Sequence, residues 1–358
     1  MIVFRVDANE QVATGHLMRC LAIAEECRRQ GENCLFLLAE EKETDRIVER
    51  GFPFHVLHTR WDDLEGEMER LQDYLEKNPC KWLVVDSYQA TPAYLQRLNA
   101  ICPVLYLDDF GQNTYPVAAV LHYGVVREIE DYIHRYRSKG VAVLAGAEYI
   151  PLREEFQPAH LAELERQQGD RQSDMDLSSI LITTGGTDPY HVTEQILQYC
   201  LTDSIFAHCC YHVIVGGMNG HVQELRQLAE QYTKGDFSPV ILHTGVNNMA
   251  ELMCQCNFAV SAGGTTLYEL CACGIPTVCF SFSDNQLPTV RLLQQQRIMH
   301  YAGDAREGEV GVEIGKYLAK YMGDPEETAG YQNRMKGLVD GKGVWRITHF
   351  LCQNLLEA

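Results

Sequence analysis

Short β-rich apolar runs, each followed by a loop and an amphipathic stretch, recur along this chain, and that alternation leaves few folds open. Ile2–Val6, Cys34–Leu38, Phe54–Leu57, Trp82–Val85 and Val104–Leu107 are such runs. After the first of them, Leu17, Cys20, Leu21, Ala24 and Cys27 recur at helical spacing up to Gly31, and Glu65–Glu76 and Pro92–Asn99 are polar and periodic. The rhythm breaks over Arg153–Leu177, a charged, Gln-rich stretch without a strand pattern. It restarts with Ser179–Thr183, His212–Val215, Val240–His243, Phe258–Ser261 and Thr277–Phe280, and Gly330–Leu355 reads as helical. The pattern predicts an α/β protein of two Rossmann-like, doubly wound parallel-sheet domains facing a cleft. The expected division is 1–155, a partly helical linker over 156–178, a second domain over 179–345, and a terminal helix or tail over 346–358. A chain of 358 residues, 46% hydrophobic, is large enough for two such cores.

The formal charge of -19 repels nucleic acid and anionic lipid alike. It also repels any phosphorylated ligand, so a phosphate site here has to rely on local donors such as the backbone amides of a helix start. The fourteen cysteines do not imply disulfides. Arg5 and Asp7 interrupt the N-terminal apolar run too early for a signal peptide, and no apolar run approaches membrane-spanning length. A cytoplasmic protein with reduced, buried thiols and no membrane insertion is expected. Cys254-x-Cys256 and Cys271-x-Cys273 lack zinc-site spacing, and His208, Cys209, Cys210 and His212 run into the apolar Val213-Ile-Val, which reads as a strand rather than a metal site.

In open α/β sheets, ligands bind beyond the carboxyl ends of the strands. Two loops there carry chemistry. In the second half a strand runs into Gly263-Gly264, and a helix runs from Thr265 to Gly274. The amides of Gly264, Thr265 and Thr266 would face a diphosphate, and Glu269, one turn on, can accept both hydroxyls of a ribose. The same residues also suit a tight strand–helix turn with a surface Glu. In the first half, His16 opens the helix after Gly15, with Arg19 one turn further on the same side. The positive end of a helix favours a neutral imidazole, which is a competent general base; a His that merely caps its helix is the alternative. Tyr88 follows a strand end and can reach the cleft. Asp108 and Asp109 follow the next, where they can position a hydroxyl or a water, or serve as a cap and a solvated charge. Asn285 and Gln286 offer donors and acceptors to sugar hydroxyls or amides, as many polar loops do.

Taken in order, these residues form a set. Asp7, Gly15-His16-x-x-Arg19, Asp86-Ser-Tyr88, Asp108-Asp109, Thr184-Gly185-Gly186-x-Asp188, Ser261-Ala-Gly-Gly-x-Thr266-x-x-Glu269 and Asn285-Gln286 run from the start of the chain to about residue 290. In that order and spacing the chain resembles the PseG family, the UDP-2,4-diacetamido-2,4,6-trideoxy-β-L-altropyranose hydrolases of pseudaminic acid biosynthesis. The resemblance implies a GT-B fold related to the MurG glycosyltransferase. It implies hydrolysis at the anomeric carbon with inversion, releasing UDP and the free sugar. By the same resemblance His16 is the base, Tyr88 lines its pocket, and Asp7, Gly15, Arg19, Asp108, Asp109, Gly185 and Gly186 belong to the substrate site. Gly263, Gly264, Thr265, Thr266 and Glu269 hold UDP, with Asn285 and Gln286 toward the sugar. The chain departs from the family at Ser87, where a larger polar residue is usual, and at Val12-Ala13-Thr14, where the approach to Gly15 is usually richer in glycine.

UDP is a good leaving group, so one base and a stabilised diphosphate suffice, without the second carboxyl group of most glycoside hydrolases. No metal and no cofactor are required on this account. The expected partners are a UDP-linked diacetamido sugar and the UDP product, and the oligomeric state is not legible. Two rivals stand: a GT-B glycosyltransferase that directs the same base and UDP site at an acceptor hydroxyl, and a nucleotide-sugar binding protein without activity. The acidic first half (Glu65, Glu67, Glu69, Asp73) argues against an anionic membrane as the acceptor's location.

Overall fold

In the computed structural model the described residues are 1–9, 15–124, 129–169, 177–233 and 239–353. Three parts of the sequence reading fall outside them: the Val12-Ala13-Thr14 approach to Gly15, residues 170–176 of the linker, and residues 354–358 of the tail. The chain divides into two compact units, Met1–Arg153 with Lys342–Ala358, and Glu154–Gly341.

The first unit holds strands β1 (Ile2–Val6), β2 (Cys34–Leu38), β3 (Phe54–Val56), β4 (Trp82–Asp86), β5 (Val104–Leu107), β6 (Ala119–His122) and β7 (Ala142–Ala145). Its helices are α1 (Gly15–Arg29), α2 (Asp45–Glu49), α3 (Leu64–Lys77), α4 (Pro92–Asn99) and α5 (Ile129–Tyr136). The second holds β8 (Ser178–Thr183), β9 (Cys209–Val215), β10 (Val240–Thr244), β11 (Phe258–Ala262), β12 (Thr277–Ser281) and β13 (His300–Asp304). Its helices are α6 (Pro158–Gly169), α7 (Val192–Cys200), α8 (Val222–Thr233), α9 (Met249–Cys254), α10 (Thr266–Cys273), α11 (Leu287–Gln295), α12 (Gly311–Gly323) and α13 (Pro325–Leu338). A last helix, α14 (Gly343–Cys352), belongs with the first unit.

Both sheets are parallel throughout, in the orders β3-β2-β1-β4-β5-β6-β7 and β10-β9-β8-β11-β12-β13. Every residue of β1, β4 and β12 is buried, as expected of central strands covered by helices on both faces. Each order reverses direction once, between β1 and β4 in the first sheet and between β8 and β11 in the second. At such a reversal the two flanking loops leave in opposite directions and open a crevice at the strand carboxyl ends.

Three strands escape the sequence reading. β6 and β7 are four-residue runs padded with alanine, Ala-Val-Leu-His and Ala-Val-Leu-Ala, and β13 is His-Tyr-Ala-Gly-Asp, with no β-branched residue at all. Neighbouring strands, not local propensity, hold them extended. The 156–178 stretch contributes α6, which packs on α9. The helical tail is broken at Gly341: α13 ends at Leu338 and α14 starts at Gly343. α14 packs on α1, where Gln30 donates to Thr348 Oγ1 at 2.9 Å, Lys81 donates to the Cys352 carbonyl at 2.7 Å, and the Phe350 ring lies 5.2 Å from Trp82. A Cβ on Gly343 would strike the Ile150 carbonyl, so only glycine allows α14 to seat there.

The first core contains a charge. Arg5, in the middle of β1, is fully buried, and so is Glu67 on α3. The guanidinium donates to both Glu67 oxygens, at 2.7 and 2.6 Å, and to Asp7 at 2.6 Å. Tyr94 donates to Glu67 at 2.7 Å. Burial by itself would ease the proton off Arg5, but Asp7 and Glu67 reverse that and hold it cationic. Removing one partner strands the other charge in the core. Glu67→Ala is expected to cost about 3–5 kcal/mol in urea unfolding; a loss below about 1 kcal/mol would mean that water reaches Arg5.

His300 opens β13 among Tyr317, Tyr321 and Tyr331, with ring centroids at 4.4, 5.0 and 4.8 Å, and its Nε2 has no partner among the described residues. Burial first, then Lys320, pushes its pKa from 6.5 down to about 4. The unfolded chain therefore binds the proton more readily between those values, and stability must rise with pH across that window. His300→Phe should flatten the slope of unfolding free energy between pH 4 and 6.5; an unchanged slope would place the pH dependence elsewhere.

Candidate functional site

In the first unit the parallel register sets Val6 beside Asp86, so the ends of β1 and β4 adjoin at the sheet's reversal point. α1 begins just beyond, and its first turns supply His16 and Arg19, three residues apart on one face. Both are buried, at 6% and 7% exposure. Asp86, the last residue of β4, is 1% exposed and lies between them. His16 Nδ1 meets Asp86 Oδ1 in a very short contact. Arg19 donates to both Asp86 oxygens, at 2.6 and 2.5 Å, and to both Asp109 oxygens, at 2.8 and 3.1 Å. It also donates to the Tyr123 hydroxyl. Burial alone would raise the Asp86 carboxyl; Arg19 and His16 outweigh it and hold the group well below the usual carboxylate range.

An ionised carboxylate only accepts hydrogen bonds. The bonded Nδ1 therefore carries the proton of that hydrogen bond. Asp86 fixes the tautomer and the ring plane, as the carboxylate does in a nucleophile-activating triad. From the sequence alone the base rests on the helix start, and Asp86 has no assigned role. The available signal was a charged residue closing the otherwise apolar run Trp82-Leu-Val-Val.

Tyr88 sets its ring edge-on to His16, with centroids 4.4 Å apart at 81°, and donates to Asp109 at 2.9 Å. Burial and the Asp109 charge both push its phenol upward, so it stays a protonated donor. The acidic pair divides its work. Asp109 faces Arg19 and Tyr88, whereas Asp108, 1% exposed, accepts from the amides of Phe110 at 3.2 Å and Gly111 at 2.9 Å and from Tyr132 at 3.0 Å. Asp7 is drawn inward: it accepts from Arg5 at 2.6 Å and from the Ala39 amide at 2.8 Å, which ties β1 to the end of β2. Gly15 is exposed, and a Cβ there meets no described atom within 4 Å.

The second unit builds its reversal point from glycine. Gly185, at φ +83°, and Gly186 follow β8, and a Cβ on Gly216 after β9 would strike the Gly185 and Gly186 carbonyls. Gly263 follows β11, and a Cβ there would come within 2.8 Å of Val290 and 2.9 Å of Gln286. Gly264 and Thr265, at the start of α10, are exposed, and a Cβ on Gly264 meets no described atom within 4 Å. Of the three amides read from sequence as diphosphate donors, one is committed: Gly264 donates to the Ala262 carbonyl at 2.8 Å. Leu267 and Tyr268 close the first turn onto Gly264 and Thr265, leaving the Thr265 and Thr266 amides at the helix mouth. Glu269 is half-buried one turn further. Gln286 points inward, accepting from the Phe282 amide at 2.9 Å, and Asn285 is exposed, accepting from Ser283 at 2.6 Å. Asp188 accepts from the Val192 and Thr193 amides at 2.9 and 3.0 Å and so caps α7.

His212 lies on β9, 3.0 Å from His243 and 3.6 Å from Cys210. Among the described residues no group of three or more His, Cys, Asp or Glu is arranged to hold a metal ion, and no helix is long and apolar enough to cross a membrane.

No protein-family model matches the chain. It is 25% identical over 360 residues to the spore coat polysaccharide biosynthesis protein SpsG of Bacillus subtilis, covering 98% of this chain and 97% of that protein. It is 23% identical over 282 residues to the uncharacterized protein MJ1062 of Methanocaldococcus jannaschii, covering 77% of this chain but only 54% of that longer protein. Among solved structures it resembles MurG of Acinetobacter baumannii, with a TM-score of 0.65, 12% identity and 98% of each chain covered. It resembles HepE of Anabaena in complex with UDP-glucose, with a TM-score of 0.58, 13% identity and 100% and 99% covered. The lipopolysaccharide glycosyltransferase WaaG gives a TM-score of 0.60 at 11% identity, with 99% and 100% covered. The two parallel-sheet units have the fold of the GT-B glycosyltransferases.

Proposed function

We propose that this chain breaks the anomeric C–O bond of a UDP-linked sugar, with His16 as the general base. The observation that carries the reading is the His16–Asp86 pair at the reversal point of the first sheet. His16 Nε2 takes a proton from the attacking oxygen as that oxygen bonds to C1. The C1–O bond breaks, and its electron pair leaves on the β-phosphate of UDP. Asp86 keeps the imidazole in place and stabilises the imidazolium that forms, and Arg19 holds Asp86 in position. The Thr265 and Thr266 amides, at the positive end of α10, take the diphosphate charge without adding a formal charge to an acidic protein. Glu269, in the first turns of α10, accepts from the ribose hydroxyls on this reading. One displacement at C1 inverts the anomeric configuration.

The source of the attacking oxygen separates two readings. The fold neighbours, glycosyltransferases among them, and the similarity to a polysaccharide biosynthesis protein support transfer to an acceptor hydroxyl. The ordered motif set from Asp7 to Gln286 supports water, with a UDP-2,4-diacetamido-2,4,6-trideoxy hexose as substrate and a place in pseudaminic acid biosynthesis. We favour water, because Tyr88, Asp109 and Arg19 around the base are the residues that carry that resemblance. A binding protein without activity has no use for an imidazole held by a buried carboxylate.

His16→Asn should lower UDP release by about 10²–10⁴-fold while leaving the UDP dissociation constant unchanged; wild-type turnover in that variant would remove His16 from the mechanism. With a panel of UDP-2,4-diamino sugars and no acceptor present, UDP should be released at the full rate. Release that starts only when an acceptor sugar is added would establish the transferase instead.

A further inference from the structure

Phe110 and Tyr88 are large aromatic side chains only half buried, 46% and 45% exposed, and they touch, with ring centroids 5.0 Å apart at 52°. Exposed apolar residues scattered singly need no explanation, but a contiguous pair beside a buried charged cluster does. Tyr88 links the pair to that cluster through its edge contact with His16 and its hydrogen bond to Asp109. The loop that carries Phe110 is held firmly from behind. Asp108 accepts from the Phe110 and Gly111 amides, the His122 ring bonds the Asp108 carbonyl at 2.5 Å, and Arg135 donates to the carbonyls of Gly111 at 2.6 Å and Gln112 at 3.0 Å. Gly111, at φ +60°, lies against the His122 ring, where a Cβ would come within 3.0 Å. That much scaffolding holds a side chain that stays half exposed beside Tyr88. A rigid, exposed aromatic loses little entropy on binding, which is how preorganised ligand sites are built.

We propose that Tyr88 and Phe110 form a shelf for the C–H face of a pyranosyl group, with Phe110 a specificity residue for the hexosyl part of the ligand. The inference rests on the reading of the chain as a UDP-sugar enzyme. The axial C–H bonds on one side of a pyranose ring present a weakly positive apolar surface, and aromatic faces carry the complementary negative quadrupole. Hydroxyl or amide groups at the ring's edge meet Asp109, whose carboxylate the Tyr88 hydroxyl and Arg19 hold at the border of the shelf. Asp109 accepts hydrogen bonds and cannot donate them while ionised, so the shelf favours a sugar with a donor next to its apolar face. UDP alone has no hexose to place there.

Titration calorimetry with UDP, UDP-glucose, UDP-N-acetylglucosamine and UDP-N-acetylgalactosamine tests this on wild type, Phe110→Ala and Phe110→Tyr. For the tightest-binding UDP-sugar, Phe110→Ala should weaken affinity by about 2- to 10-fold, Phe110→Tyr should retain it, and affinity for UDP should be the same in all three. If Phe110→Ala binds that UDP-sugar as tightly as wild type, or loses affinity for UDP to the same degree, the shelf is wrong and the functional reading stands. If wild type binds neither UDP nor any UDP-sugar, the functional reading falls and the shelf with it.

Discussion

Removing a guanidinium from water costs several kcal/mol unless carboxylates replace the lost solvation. Arg19 is buried, and Asp86 and Asp109 replace it from the ends of two different strands. That exchange organises the mouth of the first sheet. It fixes Asp86 as an anion, which in turn gives His16 a partner at Nδ1. It sets Asp109 where Tyr88 can reach it, and Tyr88 then stands edge-on to the imidazole. Five side chains from α1 and the ends of β4 and β5 are thereby locked to one another by charge rather than by apolar packing. Such a network is sensitive to any single loss, because each remaining charge would be left buried without compensation.

The two units fill the same topological position with different groups. In each, the strand order reverses once, between β1 and β4 and between β8 and β11. The first unit fills that place with ionised side chains and an imidazole. The second fills it with glycine backbone and the open start of α10. A chain of net charge -19 suits this division. On the proposed function, proton transfer needs titratable groups, whereas an anionic ligand approaching an acidic protein is best met by oriented amides that bring no carboxylate with them. The glycines of the second unit also serve packing: a side chain on Gly216 would strike the Gly185–Gly186 loop, and one on Gly263 would strike Gln286 and Val290 at the start of α11.

Much of the architecture was legible because parallel strands covered on both faces must be short and apolar, and their helices periodic. The strands from Ile2–Val6 to Val104–Leu107 and from Ser178–Thr183 to Thr277–Ser281 follow that rule to within a residue or two at most ends. β6, β7 and β13 do not, because alanine, histidine and glycine have no strong preference for a strand and take that form only beside an existing edge. The break at Gly341 was equally hidden, since two helices joined by a short bend share one apolar period.

The sequence by itself determined the element order, the glycine loops at the strand ends, and the candidates His16, Arg19, Tyr88 and Asp109, because each sits where a strand or helix boundary can be read locally. Only the tertiary structure decided which of the acidic residues act on which partner. Asp7 turns to Arg5, Asp108 to its own loop and Tyr132, Asp86 to His16 and Arg19, and Glu67 into the core. The physical reason is that a carboxylate's role depends on which cation or amide lies within 3 Å of it, and those neighbours lie tens of residues away in sequence and side by side in the sheet.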